Sequence, residues 1–373
     1  MRILYGVVGE GMGHATRSRV QLEHLLSQGH EVRVVVSGRA HDFLTSRFAE
    51  REGISIQEIA GLHMIYEDNE VERRRSLRSN LSGAPEGYRQ NYTVYRRLLG
   101  DWMPTAIVSD FESWAWYFGR RQKIPVISVD NMQVINRCEH DGFVTRSRCS
   151  DFRVARLAVK AKLPRCFHYL VSSFFFPPVR KKYTTLVTPI LRPEILEARR
   201  EPGEHVLVYQ TAASNTKLVP VLQKLPLSFR VYGMNRDEDL GNVTLRSFSE
   251  TGFVDDLRTA RAVIAGGGYS LMGEAVHLHV PMLSVPIVGQ YEQELNARYL
   301  QSLGYGRFTS ELTDGVVRDF LAGLEAHDEA LKRYLPQDNS MLFSLMDECL
   351  HRIDMGEKRP VTLDAPSMGD LRG

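Results

Sequence analysis

At 373 residues the chain is two to three times the size of an ordinary domain, so two domains are expected. With 43% hydrophobic and 25% charged residues its composition is that of a globular protein, which excludes a disordered chain, a collagen and a small disulfide scaffold. The net charge of +2 divides into +9 over residues 1–186 and −7 over 187–373, as expected of two modules facing different partners. Cys138, Cys149, Cys166 and Cys349 form no CxxC pair and no zinc spacing, and they suit a reducing compartment. There is no signal-type apolar region and no run of ~18 apolar residues, so a cytoplasmic location without a membrane span is expected.

Residues 3–8 form a short apolar run, 9–14 a tight glycine turn, 15–28 a helix ended by Gly29, and 32–36 a second buried strand. A continuous apolar strand followed by an amphipathic helix is the βαβ pattern of a parallel sheet. It recurs at 106–109, followed by a helix rich in Trp and Tyr, and at 126–129. The Arg-rich stretch 68–100 contains Ser82-Gly83-Ala84-Pro85 and is expected to form helices flanking a mobile loop. Linker-like segments at 188–193 and 201–204 mark a boundary, and a second α/β series begins beyond it. Its strands are expected at 206–209, 229–232, 243–247, 263–265 and 282–285, with helices at 290–303, 315–324 and 340–354. The fold class is therefore α/β, with two doubly wound Rossmann-like domains in tandem. They are assigned to 1–186 and 187–340, with a terminal helix at 341–355 and a disordered tail at 356–373.

Gly9-Glu10-Gly11-Met12-Gly13-His14 joins a strand to a helix, where glycines let backbone N–H groups approach an anion. A dinucleotide enzyme is disfavoured, because the spacing is GxGxG and strand two ends Val36-Ser37-Gly38 without a ribose-binding acid. A plain structural turn remains an alternative. His14 adds chemistry, since an imidazole at the carboxyl end of a strand points into the crevice where such folds bind ligands. Asp110 ends a neighbouring strand and is either the base itself, an orienter of His14, or a helix cap. A second junction, Gly266-Gly267-Gly268-Tyr269-Ser270-Leu271, opens a helix whose free N–H groups favour an anion. Glu274 lies one turn further along and suits the two hydroxyls of a ribose. Beyond the next strand, Gln290, Glu292 and Gln293 combine amide and carboxylate groups that could grip sugar hydroxyls, or simply begin a charged helix.

The segments 270–275 and 280–300, with Gly289-Gln290-Tyr291-Glu292-Gln293-Glu294-Leu295-Asn296-Ala297 at their centre, resemble the donor site of GT-B glycosyltransferases. The resemblance is to a bacterial and archaeal group distantly related to the N-acetylglucosaminyltransferase that forms lipid II, and it covers the chain from Gly9 to about residue 350. It implies transfer of a sugar from a UDP-linked donor to an acceptor hydroxyl; inversion without a cofactor is expected, and with no DxD-like motif in a donor-site position (Asp237-Glu238-Asp239 falls in an expected loop) no essential metal is expected. By resemblance, Glu274 holds the ribose. Gly268, Ser270 and Leu271 meet the diphosphate with Thr211 and Ser214, Val254 lies at the base, and Glu292 and Gln293 read the sugar together with Gln290. Gly11, Gly13 and His14 face the acceptor, and the last helix crosses back to the first domain. Leu271, where many relatives carry Thr, and the Gln210–Ser214 turn, which is not glycine-rich, depart from the family pattern. A UDP-sugar epimerase and a non-catalytic nucleotide-sugar sensor are the competing readings. The Arg-rich stretches 73–97 and 146–165 suit a solvated helix face, an anionic inner membrane surface or an anionic, lipid-linked or polysaccharide acceptor. Nucleic acid is not expected as a partner, because no recognition module accompanies them.

Overall fold

The computed structural model describes residues 1–9, 11–61, 66–67, 70–71, 73–145, 149–210, 218–247 and 249–363. The first sheet is built from β1 (Arg2–Val7), β2 (Glu31–Val36), β3 (Ile54–Glu58), β6 (Ala106–Asp110), β7 (Val126–Asp130), β8 (His168–Ser172) and β9 (Thr184–Val187). A small hairpin of β4 (Tyr66–Glu67) and β5 (Glu70–Val71) stands apart from it. The strand order is β3-β2-β1-β6-β7-β8-β9, every pairing is parallel, and the direction of winding reverses between β1 and β6. Strands buried on both faces explain the unbroken apolar runs: β6 and β7 are buried at every position. Around this sheet run α1 (Met12–Ser27), α2 (Arg39–Arg47), α3 (Arg73–Asp101), α4 (Ser113–Gln122), α5 (Val134–Arg137), α6 (Gly142–Thr145) and α7 (Cys149–Lys162).

The loop expected within 68–100 is instead part of α3, a 29-residue helix that runs through Pro85. Proline removes one intrahelical hydrogen bond, and the turns on either side carry the helix past it.

After α8 (Pro193–Leu196), the second sheet comprises β10 (Val206–Tyr209), β11 (Phe229–Tyr232), β12 (Glu238–Asp239), β13 (Val243–Arg246), β14 (Ala262–Ala265), β15 (Met282–Ser284) and β16 (Gly306–Phe308). Its order is β12-β13-β11-β10-β14-β15-β16, parallel except for β12, with the reversal between β10 and β14. α9 (Leu218–Leu222), α10 (Glu250–Thr259), α11 (Tyr269–His277), α12 (Tyr291–Ser302), α13 (Asp314–Ala322) and α14 (Leu324–Leu331) cover it. Two doubly wound α/β halves, the architecture expected from the sequence, therefore stand in tandem.

The chain passes between the halves twice. Residues 188–205 lead out, and the segment before α15 (Ser340–Asp354) leads back. The two passages are tied together: Leu191 N donates to Asn339 Oδ1 (2.9 Å), Asn339 Nδ2 donates to Leu191 O (2.6 Å), and Thr188 Oγ1 donates to Asp338 O (3.4 Å). α15 buries Leu342, Leu345, Met346, Cys349, Leu350 and Ile353 against the first half. The tail beyond it, expected to be disordered from residue 356, is pinned as far as Leu363. Val361 N reaches Phe167 O (3.1 Å), and Val361 and Leu363 join the same core. Residues 364–373 lie outside the described segment. Among the described residues no helix is long and apolar enough to cross a membrane.

Leu342→Ala removes a side chain that is 1% exposed at this docking surface. Denaturant unfolding should show a loss of about 2–5 kcal/mol. A change within ~0.5 kcal/mol would mean that α15 docks too loosely to stabilise the first half.

Candidate active site

β1 and β6 are neighbours at the reversal of the first sheet, so their carboxyl ends open the crevice that doubly wound sheets use for ligands. The turn after β1 needs glycine at Gly11, where φ is 86°. His14 then begins the first turn of α1 and faces the end of β6. Its Nδ1 lies 2.9 Å from Asp110 Oδ1. Asp110 is wholly buried, and its other oxygen accepts from Arg17 Nε (2.8 Å) and Ser18 Oγ (3.1 Å). Burial would raise the Asp110 carboxyl, but Arg17 and His14 overcome it and hold the group well below the usual carboxylate range. A group so enclosed, and so firmly ionised, is placed to fix the orientation of the imidazole. His14 is pushed below its ordinary value by burial first and by Arg17 second, against the pull of Asp110. With Nδ1 directed at Asp110, Nε2 is the nitrogen left for the cleft. The cap of α4 is not Asp110 but Glu112, whose oxygens accept from Trp114 N (2.8 Å) and Ala115 N (2.6 Å).

The second half brings α11 directly onto this turn. Ser270 Oγ donates to Gly13 O (3.1 Å), and a Cβ added at Gly13 would stand 2.7 Å from that hydroxyl, so glycine is what permits the approach. Gly268 precedes α11 and gives it no side-chain cap, which leaves the first N–H groups, those of Tyr269, Ser270 and Leu271, for an anion. Glu274 is 6% exposed and does not stand free as the sequence suggested. Both its oxygens are held by Arg192 of the linker, at 2.8 and 2.9 Å. Arg192 lies over the Phe253 ring, and its Nη1 is buried without a partner among the described residues.

α12 follows β15 and presents Glu292 to the first half. Glu292 Oε1 accepts from Asn131 Nδ2 across the cleft (2.8 Å) and from Asn296 Nδ2 on its own helix (2.6 Å). Desolvation pushes the Glu292 carboxyl up to about 7, although part of the side chain still meets the cleft. Gln293 is not its companion. Consecutive helix residues point about 100° apart, and Gln293 is turned into the protein, where Oε1 accepts from Ile287 N (3.0 Å) and Nε2 donates to Gln290. Asn296, one turn from Glu292, shares its face instead. Val254 lies inside α10, 6% exposed, where the helix uses its backbone N–H. Thr211 and Ser214 lie outside the described residues.

Sequence reasoning placed Asn131 at a strand end opening onto the same crevice as Asp110, without a role, and missed Arg17 and Arg192. Arg17 follows His14 at the i, i+3 spacing of one helix face, which is a usable signal. Arg192 sat unremarked between two prolines.

With this geometry in view, comparison with known proteins decides the family. The model of glycosyl transferase family 1 matches residues 1–325. The chain belongs to that family. A relative in Methanosarcina acetivorans, described as an uncharacterized glycosyltransferase, is 25% identical over 352 residues, covering 84% of this chain and 86% of the relative. Among solved structures, Acinetobacter baumannii MurG superposes with a TM-score of 0.56 at 16% identity, covering 95% of this chain and 98% of the other. LpCGTa in complex with UDP gives 0.60 at 14% identity, over 94% and 99%. The fold of this glycosyltransferase is GT-B.

The raised Glu292 carboxyl predicts a pH effect of known sign. A carboxyl whose folded pKa lies above its unfolded value, here about 7 against 4.5, binds more protons in the folded state between those limits. Its contribution to stability is therefore present below about pH 4.5 and is lost as pH rises to about 7. The stability difference between wild type and Glu292→Gln, followed by urea melts from pH 4.5 to 8, should shift against wild type through that window and level off above it. A flat difference would mean that Glu292 ionises normally.

Proposed function

We propose that this glycosyltransferase moves a hexosyl group from a nucleoside diphosphate donor, UDP-linked, to an acceptor hydroxyl, with inversion at the anomeric carbon. The observation that carries this reading is the position of the His14–Asp110 pair directly opposite the uncapped start of α11, with Ser270 and Gly13 in contact. On this reading His14 Nε2 takes the acceptor proton as the hydroxyl attacks. The bond from the anomeric carbon to the diphosphate breaks, and the free N–H groups of α11 receive the growing negative charge. Arg192, anchored by Glu274, offers its spare Nη1 to the donor's nucleotide side, and Glu274 then reaches the ribose through the lone pairs that Arg192 leaves free. Glu292 reads the sugar beside Gln290, its carboxylate held by Asn296. Positive charge from Arg192 and from the helix end can offset the diphosphate, so no essential metal is proposed. UDP bound to LpCGTa, a protein of the same fold, supports the choice of donor class.

On this reading the acceptor belongs to cell-envelope glycolipid or polysaccharide synthesis on the inner face of the membrane. Support comes from α7, which exposes Val154 and Leu157 at helical spacing beside the exposed cations Arg153 and Lys160. Such a face suits the surface of an anionic bilayer.

A thermal-shift screen of nucleotide sugars names the donor, since a ligand of the native state alone raises its stability. His14→Ala should cut transfer by roughly 10²–10⁴-fold while UDP affinity, read by calorimetry, stays within about twofold. Lost UDP binding with normal turnover would overturn the role of His14.

A further inference from the structure

His14 lies between opposite charges. Asp110 is the expected partner of a basic histidine. The second is Arg17, one turn further along α1 and 3% exposed. Its Nε and Nη2 grip the two oxygens of Asp110, with Nε at 2.8 Å from Oδ2. Nη2 also comes within 2.5 Å of His14 Nδ1, and Nη1 donates to Asn131 Oδ1 at 2.6 Å. From Asn131 the chain of contacts continues to Glu292 on the opposite wall of the cleft.

We propose that Arg17 is a positioning residue of the transferase site, which holds the Asp110 carboxylate in the plane that directs His14 Nε2 at the acceptor and cancels the charge that would otherwise keep the imidazole protonated. The inference rests on the reading of His14 as the base.

The physical case is one of charge and shape. A buried carboxylate beside an imidazole, acting alone, raises the proton affinity of the ring. Such a base would hold a proton at neutral pH and be unable to accept another. Arg17 offsets the field of Asp110 at close range, while Asp110 remains ionised and remains an acceptor. Only a planar fork holds both carboxylate oxygens at once and still reaches Asn131; a lysine cannot. The other ionisable groups around the pair are Lys162 of α7, Asp130 of β7, Tyr5 of β1, Tyr269 of α11 and Glu292 of α12. Lys162 acts on His14 in the same sense as Arg17, and burial adds to both.

The test follows the ring itself by NMR titration of His14 in the full chain, for wild type, Arg17→Met, Asp110→Asn and the double variant. The acid limb of the rate profile is read in parallel, with hydrolysis of UDP-glucose and UDP-N-acetylglucosamine as the probe reactions. Arg17→Met should raise the His14 pKa by about one unit or more, and Asp110→Asn should lower it. The double variant removes one charge of each sign and should fall between them. It leaves no uncompensated buried charge, so it keeps the test open if Arg17→Met fails to fold. Arg17→Lys should leave the pKa low while turnover falls at least tenfold with little change in KM, which a purely electrostatic role would not produce. Equal His14 pKa values in Asp110→Asn and the double variant would overturn the inference. If the ring titrates as expected but the acid limb stays in place, Arg17 governs the imidazole as proposed, and the assignment of His14 as the base is what fails.

Discussion

The burial of one carboxylate organises the site. Asp110 stands at the end of a strand with no access to water, in a place where an isolated charge would be prohibitively costly. It is tolerated because four donors converge on it: the imidazole of His14, two nitrogens of Arg17 and the hydroxyl of Ser18. All three residues come from the first two turns of α1. The same contacts that satisfy the charge therefore fix how α1 enters the sheet, which in turn fixes the direction of His14. Stability and function are coupled here through one group, and removing it would leave Arg17 as the uncompensated charge.

The two halves meet through contacts of different chemistry. Apolar contact comes from the aromatic run 169–178, where Phe175 and Tyr299 stack with ring centres 4.0 Å apart and Phe174 lies over Tyr269. Polar contact comes from Arg19, 1% exposed on α1, which pairs with Glu194 in the linker and Glu250 on α10. The aromatic surface supplies area, and the buried ion pairs fix which face of α1 meets the second half. Between them lies the cleft, narrow enough for Asn131 to reach Glu292.

Much of the architecture was legible because buried parallel strands leave continuous apolar runs, as at 106–109 and 206–209, and because glycine punctuates the strand-to-helix turns. β8 and β9 were not assigned, since β8 is embedded in an aromatic stretch with no turn residues to bound it. Pro85 misled because its local preference for a turn was outweighed by the rest of a long helix. At the site, His14, Asp110, Ser270 and Glu292 could be placed from their positions at strand ends and helix starts. Angular position on a helix is what the sequence alone left open. Gln293 and Val254 fall on helix faces that turn inward, and only the helix boundaries reveal this. Arg17, Asn131 and Arg192 act by pairing across distances of up to 161 residues for Asn131 with Glu292, and local patterning carries no record of such partners.

The return of the chain to the first half has a mechanical consequence. Two covalent crossings, fastened to one another at Leu191 and Asn339, connect the halves like the paired leaves of a door hinge. A single tether would permit twisting about its own length; a doubled one leaves bending as the soft motion. The fastened pair therefore restrains twist between the halves and keeps Glu292 opposite Asn131, and Ser270 opposite Gly13.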